Sequence, residues 1–323
     1  MKNSLYPLKF QPILKDKIWG GEKLKTYFNK DSDSKTLGES WEVSTVPGDI
    51  SVVSNGELKG KTLQEVLEHF KSDLLGGKNY KRFGNEFPLL IKFIDAKENL
   101  SVQLHPNDDL AKKRHNSFGK TEMWYVMQAD TDANLIVGFN QDMDKETYLK
   151  HLEDKSLTKI LNFDKVKEGD TYFIEAGRVH AIGAGVLLAE IQQTSDVTYR
   201  IYDWDRVDAA GNERDLHNDI AIDAIDFNLK DDFRVSYESH RNVSNEMVNC
   251  PYFITNFLEI NKPLSIENIK DSFMIYMCVD GDVEVSIESS TICISKGETL
   301  LVPAAVKNYI LNSNYAKLLE VYV

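Results

Sequence analysis

Residue types able to hold a divalent metal fall in three short fragments: SVQLHPND at 101–108, GKTEMWYVM at 119–127 and GDTYFIEAGRVHAIGAG at 169–185. Gln103 and His105 stand two apart, and the strand period of two puts both side chains on one face. Glu122 begins the apolar run of the second fragment, and His180 follows Gly177 in the third. Two imidazoles, a carboxylate and an amide oxygen can bind Zn²⁺ and leave room for water or a substrate. Two histidines with one carboxylate also suit non-haem Fe(II), so the ligand types alone leave the metal open. Taken singly, each residue has an ordinary alternative: a lone strand histidine is usually structural, and Gln103 can simply hydrogen-bond in a wet core. Their spaced combination on strand-like runs favours a shared ion.

Arg200 and Arg206 lie downstream in YRIYDWDR at 199–206. A guanidinium stays charged at any working pH and offers a fixed fork to a phosphate or a developing oxyanion. The same pair can be taken up by Asp203, Asp205 or Glu190, and the sequence leaves both readings open. Lys120, two residues before Glu122, faces the same pocket if the strand already runs there, and is otherwise solvated.

Strands from distant parts of the chain must position these groups. FPLLIKFIDA at 87–96 is an apolar run broken by Lys92, which suits a strand buried on both faces. Residues 1–61 read as a β meander, with Trp19-Gly20-Gly21 a turn whose aromatic ring anchors the core. Residues 62–75 place Leu63, Val66, Leu67, Phe70 and Leu74 on one helical stripe, with Thr62 as N-cap and Gly76-Gly77 as the stop. Short helices are expected within 144–163 and over 215–226, while DLAKKRHN at 109–116 reads as a polar excursion. A charged stretch at 228–250 suggests a catalytic unit over 1–240 and a second unit over 241–323. Strand follows strand in the second unit, with a hairpin turn expected at Asp280-Gly281-Asp282.

The two units echo each other. GDTYFIEAGRVHAI at 169–182 aligns without gaps on GETLLVPAAVKNYI at 297–310, setting His180 on Asn308, and EMWYVM aligned on FMIYMC sets Glu122 on Phe273. The expected fold is mainly β: two jelly-roll sandwiches with a few short helices, of which only the first retains its ligands. The third fragment is also nearly the second motif of a cupin, with Glu175 where a proline usually stands.

Composition narrows the function. A formal net charge of −13 disfavours nucleic acid and anionic membranes, which require clustered Lys and Arg, so an anionic substrate needs a local basic pocket. No window approaches the roughly 18–20 apolar residues of a membrane span, and a soluble, cytoplasmic protein is expected. Cys250, Cys278 and Cys293 form no C-x-x-C pair, which argues against a disulfide framework or a zinc–thiolate site. Cys278 and Cys293 sit in strand-like runs and are expected to act as small buried hydrophobes.

WGG, GESWEVS, PLLIKFIDAKENLSVQLHPND, GKTEMWYVM, GRVHAIGAGVLLAEIQQTSDVTYRIYDWDR and RDLH together resemble the type I mannose-6-phosphate isomerases in their short bacterial form, through most of residues 5–225. The resemblance implies a zinc enzyme, one ion per chain, interconverting mannose 6-phosphate and fructose 6-phosphate. It carries the metal ligands onto Gln103, His105, Glu122 and His180, and the active-site arginine onto Arg200. Ser101 and Arg206 match places where longer members hold the phosphate, with an arginine here standing where they have lysine. The helical insertion of those longer members is reduced here to the segment near 144–163. Moving a proton between adjacent carbons needs a base, for which Glu190 and Lys120 are the candidates, while Arg200 stabilises charge on oxygen. Two rivals share these ligands: an Fe(II)-dependent cupin oxygenase and a sugar-binding cupin without turnover. The oligomeric state is left open.

Overall fold

The computed structural model describes residues 5–207, 211–230, 232–288 and 290–323. The first unit is built on β1 (Ile13–Gly21), β2 (Leu37–Val43), β3 (Leu89–Ala96), β4 (Val102–Leu104), β5 (Glu122–Ala129), β6 (Asn134–Phe139), β7 (Leu161–Lys165), β8 (Thr171–Ile174), β9 (His180–Ile182), β10 (Val186–Gln193) and β11 (Tyr199–Tyr202). They form two antiparallel sheets, one in the order β8-β5-β10-β3-β2-β1 and the other β7-β6-β9-β4-β11. Face to face, these make a jelly-roll sandwich.

The larger sheet is buried on both sides, and strand alternation sorts its side chains. Phe93 and Ile91 of β3, Met123 and Tyr125 of β5, and Leu187 and Ala189 of β10 point to one side, into a layer shared with Phe257, Phe273, Ile275 and Leu319 of the second unit. The alternate positions point inward, where Ile94, Trp124, Val126 and Leu188 form the interior of the first sandwich. The inward face also carries Lys92, Glu122 and Glu190, all at most 3 % exposed. Fully burying a side chain such as Phe or Leu is worth about 1.5–3 kcal/mol, so the shared layer binds the two units into one folding core. Phe87 meets Phe273 across it with ring centroids 4.9 Å apart.

The second unit comprises β12 (Asn245–Asn249), β13 (Ile254–Ile260), β14 (Leu264–Glu267), β15 (Met274–Ile287), β16 (Ser290–Ser295), β17 (Thr299–Val302), β18 (Asn308–Asn312) and β19 (Ala316–Tyr322). Its sheet curls in the order β12-β13-β19-β15-β18-β14, with β16 and β17 also on β15. The expected hairpin at Asp280-Gly281-Asp282 is instead a bend inside the 14-residue β15, where Gly281 has φ +71° and the register shifts between Cys278 and Asp280. A glycine at positive φ inside a strand marks a bulge, and here it lets one strand serve both halves of the curl. β15 pairs antiparallel with β16, Ile287 standing opposite Ser290.

The internal repeat is present with one correction. Thr171–Ile174 and Thr299–Val302 occupy matching positions, and Gly169 and Gly297 before them have φ of +89° and +84°. Pairing sets Ile174 opposite Glu122 but Val302 opposite Met274, so Met274, not Phe273, stands at the place of Glu122. A slip of one residue exchanges faces, and Phe273 accordingly points into the shared layer.

Helix Leu63–Phe70 begins at Thr62 with a reciprocal cap to Glu65, and Lys71 at φ +51° separates it from the short helix Ser72–Leu75. Residues 109–116 are no mere polar excursion, since helix Asp108–His115 runs there from its Asn107 cap. Only Ala111 of it is buried, so it lacks the apolar stripe that marks a helix in sequence. The helix expected over 215–226 is confined to Asn218–Ala221, and a short helix at Lys23–Phe28 interrupts the N-terminal meander. Helix Lys145–Glu153 is capped by Asp144, but Leu161 already belongs to β7. Cys278 is buried, whereas Cys293 is exposed, contrary to expectation. Among the described residues, no helix is long and apolar enough to cross a membrane.

Candidate metal centre and substrate cavity

β4 presents Gln103 and ends at Leu104, just before His105 and Pro106; β5 opens with Glu122, and β9 opens with His180 directly opposite Gln103. His180 follows a turn at Gly177, whose φ is +87° and whose N–H donates to the His105 carbonyl at 2.8 Å. A Cβ at Gly177 would meet the Ala224 carbonyl oxygen at 2.5 Å, so the turn excludes any larger residue.

The three side chains converge. Glu122 Oε2 lies 3.5 Å from His105 Nε2, and Oε1 lies 3.5 Å from His180 Nε2. One ligand atom from each lies within 4.8 Å of the others, and all three residues are buried. The tautomers follow from the carbonyls behind the rings. His105 Nδ1 donates to Val197 O at 2.9 Å and His180 Nδ1 to Arg178 O at 2.8 Å, which leaves both Nε2 lone pairs facing the carboxylate. Burial drives His105 well below the usual histidine range, and holds His180 down at about 4. Burial likewise lifts Glu122 to about 7, with the charge of Glu190 adding to the effect.

Acceptor therefore faces acceptor. Both Glu122 oxygens and His105 Nε2 are buried with no hydrogen-bond partner, an arrangement that costs several kcal/mol unless a cation sits among them. The Gln103 amide adds a fourth group 3.4 Å from His180 Nε2, and turning its oxygen inward makes it a ligand. The residues fit a divalent ion of the zinc type, and the two-histidine, one-carboxylate core fits Fe(II) as well.

A cavity of about 330 Å³ opens above this centre, within the range of small-molecule sites. Five cations line it, Lys17, Lys92, Lys120, Arg200 and Arg214, against the carboxylates Glu39, Glu190 and Asp196. This is the local basic pocket that a chain of net charge −13 needs for an anionic substrate. Lys120 Nζ stands 3.3 Å from Glu122 Oε2, and Lys92 Nζ 3.0 Å from Glu190 Oε1. Trp124 Nε1 donates to Glu190 Oε2 at 2.9 Å. Burial pushes Glu190 up, but Lys92 and Lys120 outweigh it and hold the carboxyl at about 2.

Of the residues singled out in the sequence, Ser101, Gln103, Lys120, His180, Glu190 and Arg200 line the cavity. His105 and Glu122 lie beside it in the buried cluster. Arg206 is not on the cavity wall: it donates from Nε to Asp203 O, from one terminal nitrogen to Asn99 O and from the other to Asp203 Oδ1. Sequence reasoning passed over Lys17, Glu39, Lys92, Asp196 and Arg214. Lys92 carried a usable signal as the charge interrupting an apolar strand. Glu39 sits in the fully buried β2, its charge held by Lys17 at 3.3 Å and by the Trp41 indole at 2.7 Å.

Paired jelly rolls with a buried two-histidine, one-carboxylate cluster under a cation-rich cavity define a cupin-type protein with a candidate metal centre. Comparison with known proteins narrows that class. Residues 7–134 match the catalytic domain of type I phosphomannose isomerase, and residues 244–323 match the mannose-6-phosphate isomerase cupin domain. A mannose-6-phosphate isomerase of Bacillus subtilis is 36% identical over 92% of this chain and 93% of its own length. One from Streptococcus mutans is 32% identical over 94% of each. The crystal structure of a Bacillus subtilis mannose 6-phosphate isomerase superimposes with a TM-score of 0.89 at 31% identity, covering 99% of this chain and 100% of that one. The chain belongs to the type I mannose-6-phosphate isomerase family and is an isomerase.

Proposed function

We propose that this protein interconverts mannose 6-phosphate and fructose 6-phosphate, using one Zn²⁺ held by Gln103, His105, Glu122 and His180. The observation that carries the reading is the set of buried acceptors on Glu122 and His105 that lack a hydrogen bond, with Lys120 at 3.3 Å alongside, beneath a cavity whose cations outnumber its carboxylates. A divalent ion in that cluster supplies Lewis acidity toward the sugar's oxygens.

Aldose–ketose isomerisation removes a proton from the carbon beside a carbonyl and returns it to its neighbour, passing through an enediol-type species with charge on oxygen. Arg200 lines the cavity from β11 opposite Gln103, and its fixed positive charge stabilises that oxygen. Of the two candidate proton carriers, Glu190 has one oxygen beside Lys92 and the other bonded to Trp124, and is held at about 2 despite its burial. So weak a base is poorly matched to a carbon acid. Lys120, on the cavity wall and next to Glu122, is the better-placed group and takes the proton as its neutral amine, with Glu190 fixing the local charge.

A coupled assay for fructose 6-phosphate formation, run with and without a chelator, tests the reading. Turnover that disappears with the metal and returns with Zn²⁺ is expected. Arg200→Ala is expected to collapse kcat with the metal content intact, and Lys120→Met to cost more than Glu190→Gln. Oxygen consumption would point to an Fe(II) oxygenase, and silence with zinc bound to a sugar-binding cupin without turnover.

A further inference from the structure

We infer that Arg214 receives the phosphate of the sugar, alongside Arg200, while Arg206 acts only to hold Asp203 in place. This rests on the proposed reaction for the identity of the substrate. Among the described residues, the three guanidinium groups of Arg200, Arg206 and Arg214 gather around one buried carboxylate, Asp203, with the exposed Asp215 also acting on Arg200. Like charges collected with too little countercharge mark a place for an anion.

The three arginines differ in what is left of them. All three nitrogens of Arg206 are committed to Asp203 and to the Asn99 carbonyl, and the side chain does not reach the cavity wall. Arg214 is clamped along one edge, its Nε donating to Asp203 Oδ2 at 2.7 Å and a terminal nitrogen to Oδ1, yet it lines the cavity. A guanidinium gripped on one side by a carboxylate is pre-set in orientation, and its plane can meet a phosphate without losing further side-chain freedom. Arg200 is fixed from its backbone, where its N–H donates to His217 Nδ1 at 3.0 Å and its carbonyl accepts from the His217 N–H at 2.7 Å. Its side chain gives one terminal nitrogen to Asp215 O at 2.8 Å, and its Nε is buried with no partner. The lysines of the cavity are placed differently: Lys17, Lys92 and Lys120 each stand within 3.3 Å of a carboxylate. The lysines are thus matched one to one by carboxylates, whereas Arg206 and Arg214 share the single Asp203 carboxylate and Arg200 stands beside them, and a phosphate monoester of charge about −1.5 to −2 fits at that end.

The test compares zinc-loaded parent, Arg214→Gln, Arg214→Lys and Arg206→Gln proteins. Arg214→Gln is expected to raise KM for mannose 6-phosphate, and the inhibition constant for inorganic phosphate, each by roughly 10- to 100-fold, the worth of one charge-assisted hydrogen bond. Its kcat is expected to fall far less than KM rises. Arg214→Lys keeps the charge without the fork and is expected to recover part of the loss, an outcome a purely structural role would not give. Arg206→Gln is expected to shift both constants less than Arg214→Gln does. Unchanged KM and phosphate inhibition in Arg214→Gln, or a larger loss in Arg206→Gln, would overturn the assignment. Calorimetric titration of parent and Arg214→Gln with inorganic phosphate reads the same contact without turnover. A silent assay would thus count against the reaction, while equal phosphate affinities would count against Arg214.

Discussion

Replacing Lys92 with methionine removes the cation from a deeply buried ion pair of the cavity. Lys92 is 3 % exposed, its Nζ lies 3.0 Å from Glu190 Oε1, and it packs over the Trp41 ring at 5.1 Å. Burial alone would raise Glu190; Lys92, the largest opposing influence, helps bring it from 4.5 to about 2. Buried pairs stripped of one partner lose about 3–5 kcal/mol, and a loss of that size is expected of Lys92→Met.

Equilibrium urea unfolding of the parent, Lys92→Met, Glu190→Gln and the double variant reads the coupling directly. The double variant is expected to recover most of the loss, because it leaves no charge of that pair stranded. The pH dependence has a fixed sign. A carboxyl depressed in the folded state adds stability that is fully present above about 4.5 and lost as pH falls toward 2. The gap between parent and Lys92→Met should therefore narrow between pH 5 and pH 3. A cycle additive to within about 0.5 kcal/mol, or a gap independent of pH, would refute the reasoning.

Three further outcomes are expected. Zn²⁺ should raise the thermal midpoint of the metal-free parent, by a free energy of about 4 kcal/mol at a thousandfold excess over Kd, and should leave His180→Ala almost unmoved. With the metal removed, stability should decline as pH falls from 6.5 toward 4, because the unfolded histidine takes up its proton before His180, which burial holds at about 4; urea titrations across that range check it. Phe273→Ala should cost about 3–5 kcal/mol and lower the unfolding midpoints of both units together in calorimetry, since Phe273 packs 4.9 Å from Phe87 of the first unit.

Much of the molecule was legible from spacing. The two-residue interval from Gln103 to His105, the Gly177 turn before His180 and the buried reading of 87–96 each state a local rule that the fold obeys. What escaped the sequence did so for identifiable reasons. Helix Asp108–His115 is held by an Asn cap and by acids and bases at opposite ends, with almost no apolar face to give it a period. The Asp280-Gly281-Asp282 bend carries hairpin chemistry in a strand that continues, because its two halves pair with different neighbours. Lys92, Glu39 and Arg214 are held at the cavity by ion pairs that no local period announces, with Glu190, Lys17 and Asp203 respectively.

By itself, the order of residues determined the β character, the duplicated jelly-roll plan and the types of atom available to a metal, because these depend on periods and neighbours a few positions apart. Only the folded chain decided that the Nε2 atoms of both histidines face the Glu122 carboxylate, with His105 Nε2 and the Glu122 oxygens left without a hydrogen bond, that Arg206 turns away while Arg214 turns in, and that the second unit completes the core of the first. Those outcomes depend on strand register and on which face of a doubly buried sheet each side chain occupies. No local pattern encodes that choice, since both faces of such a sheet are apolar.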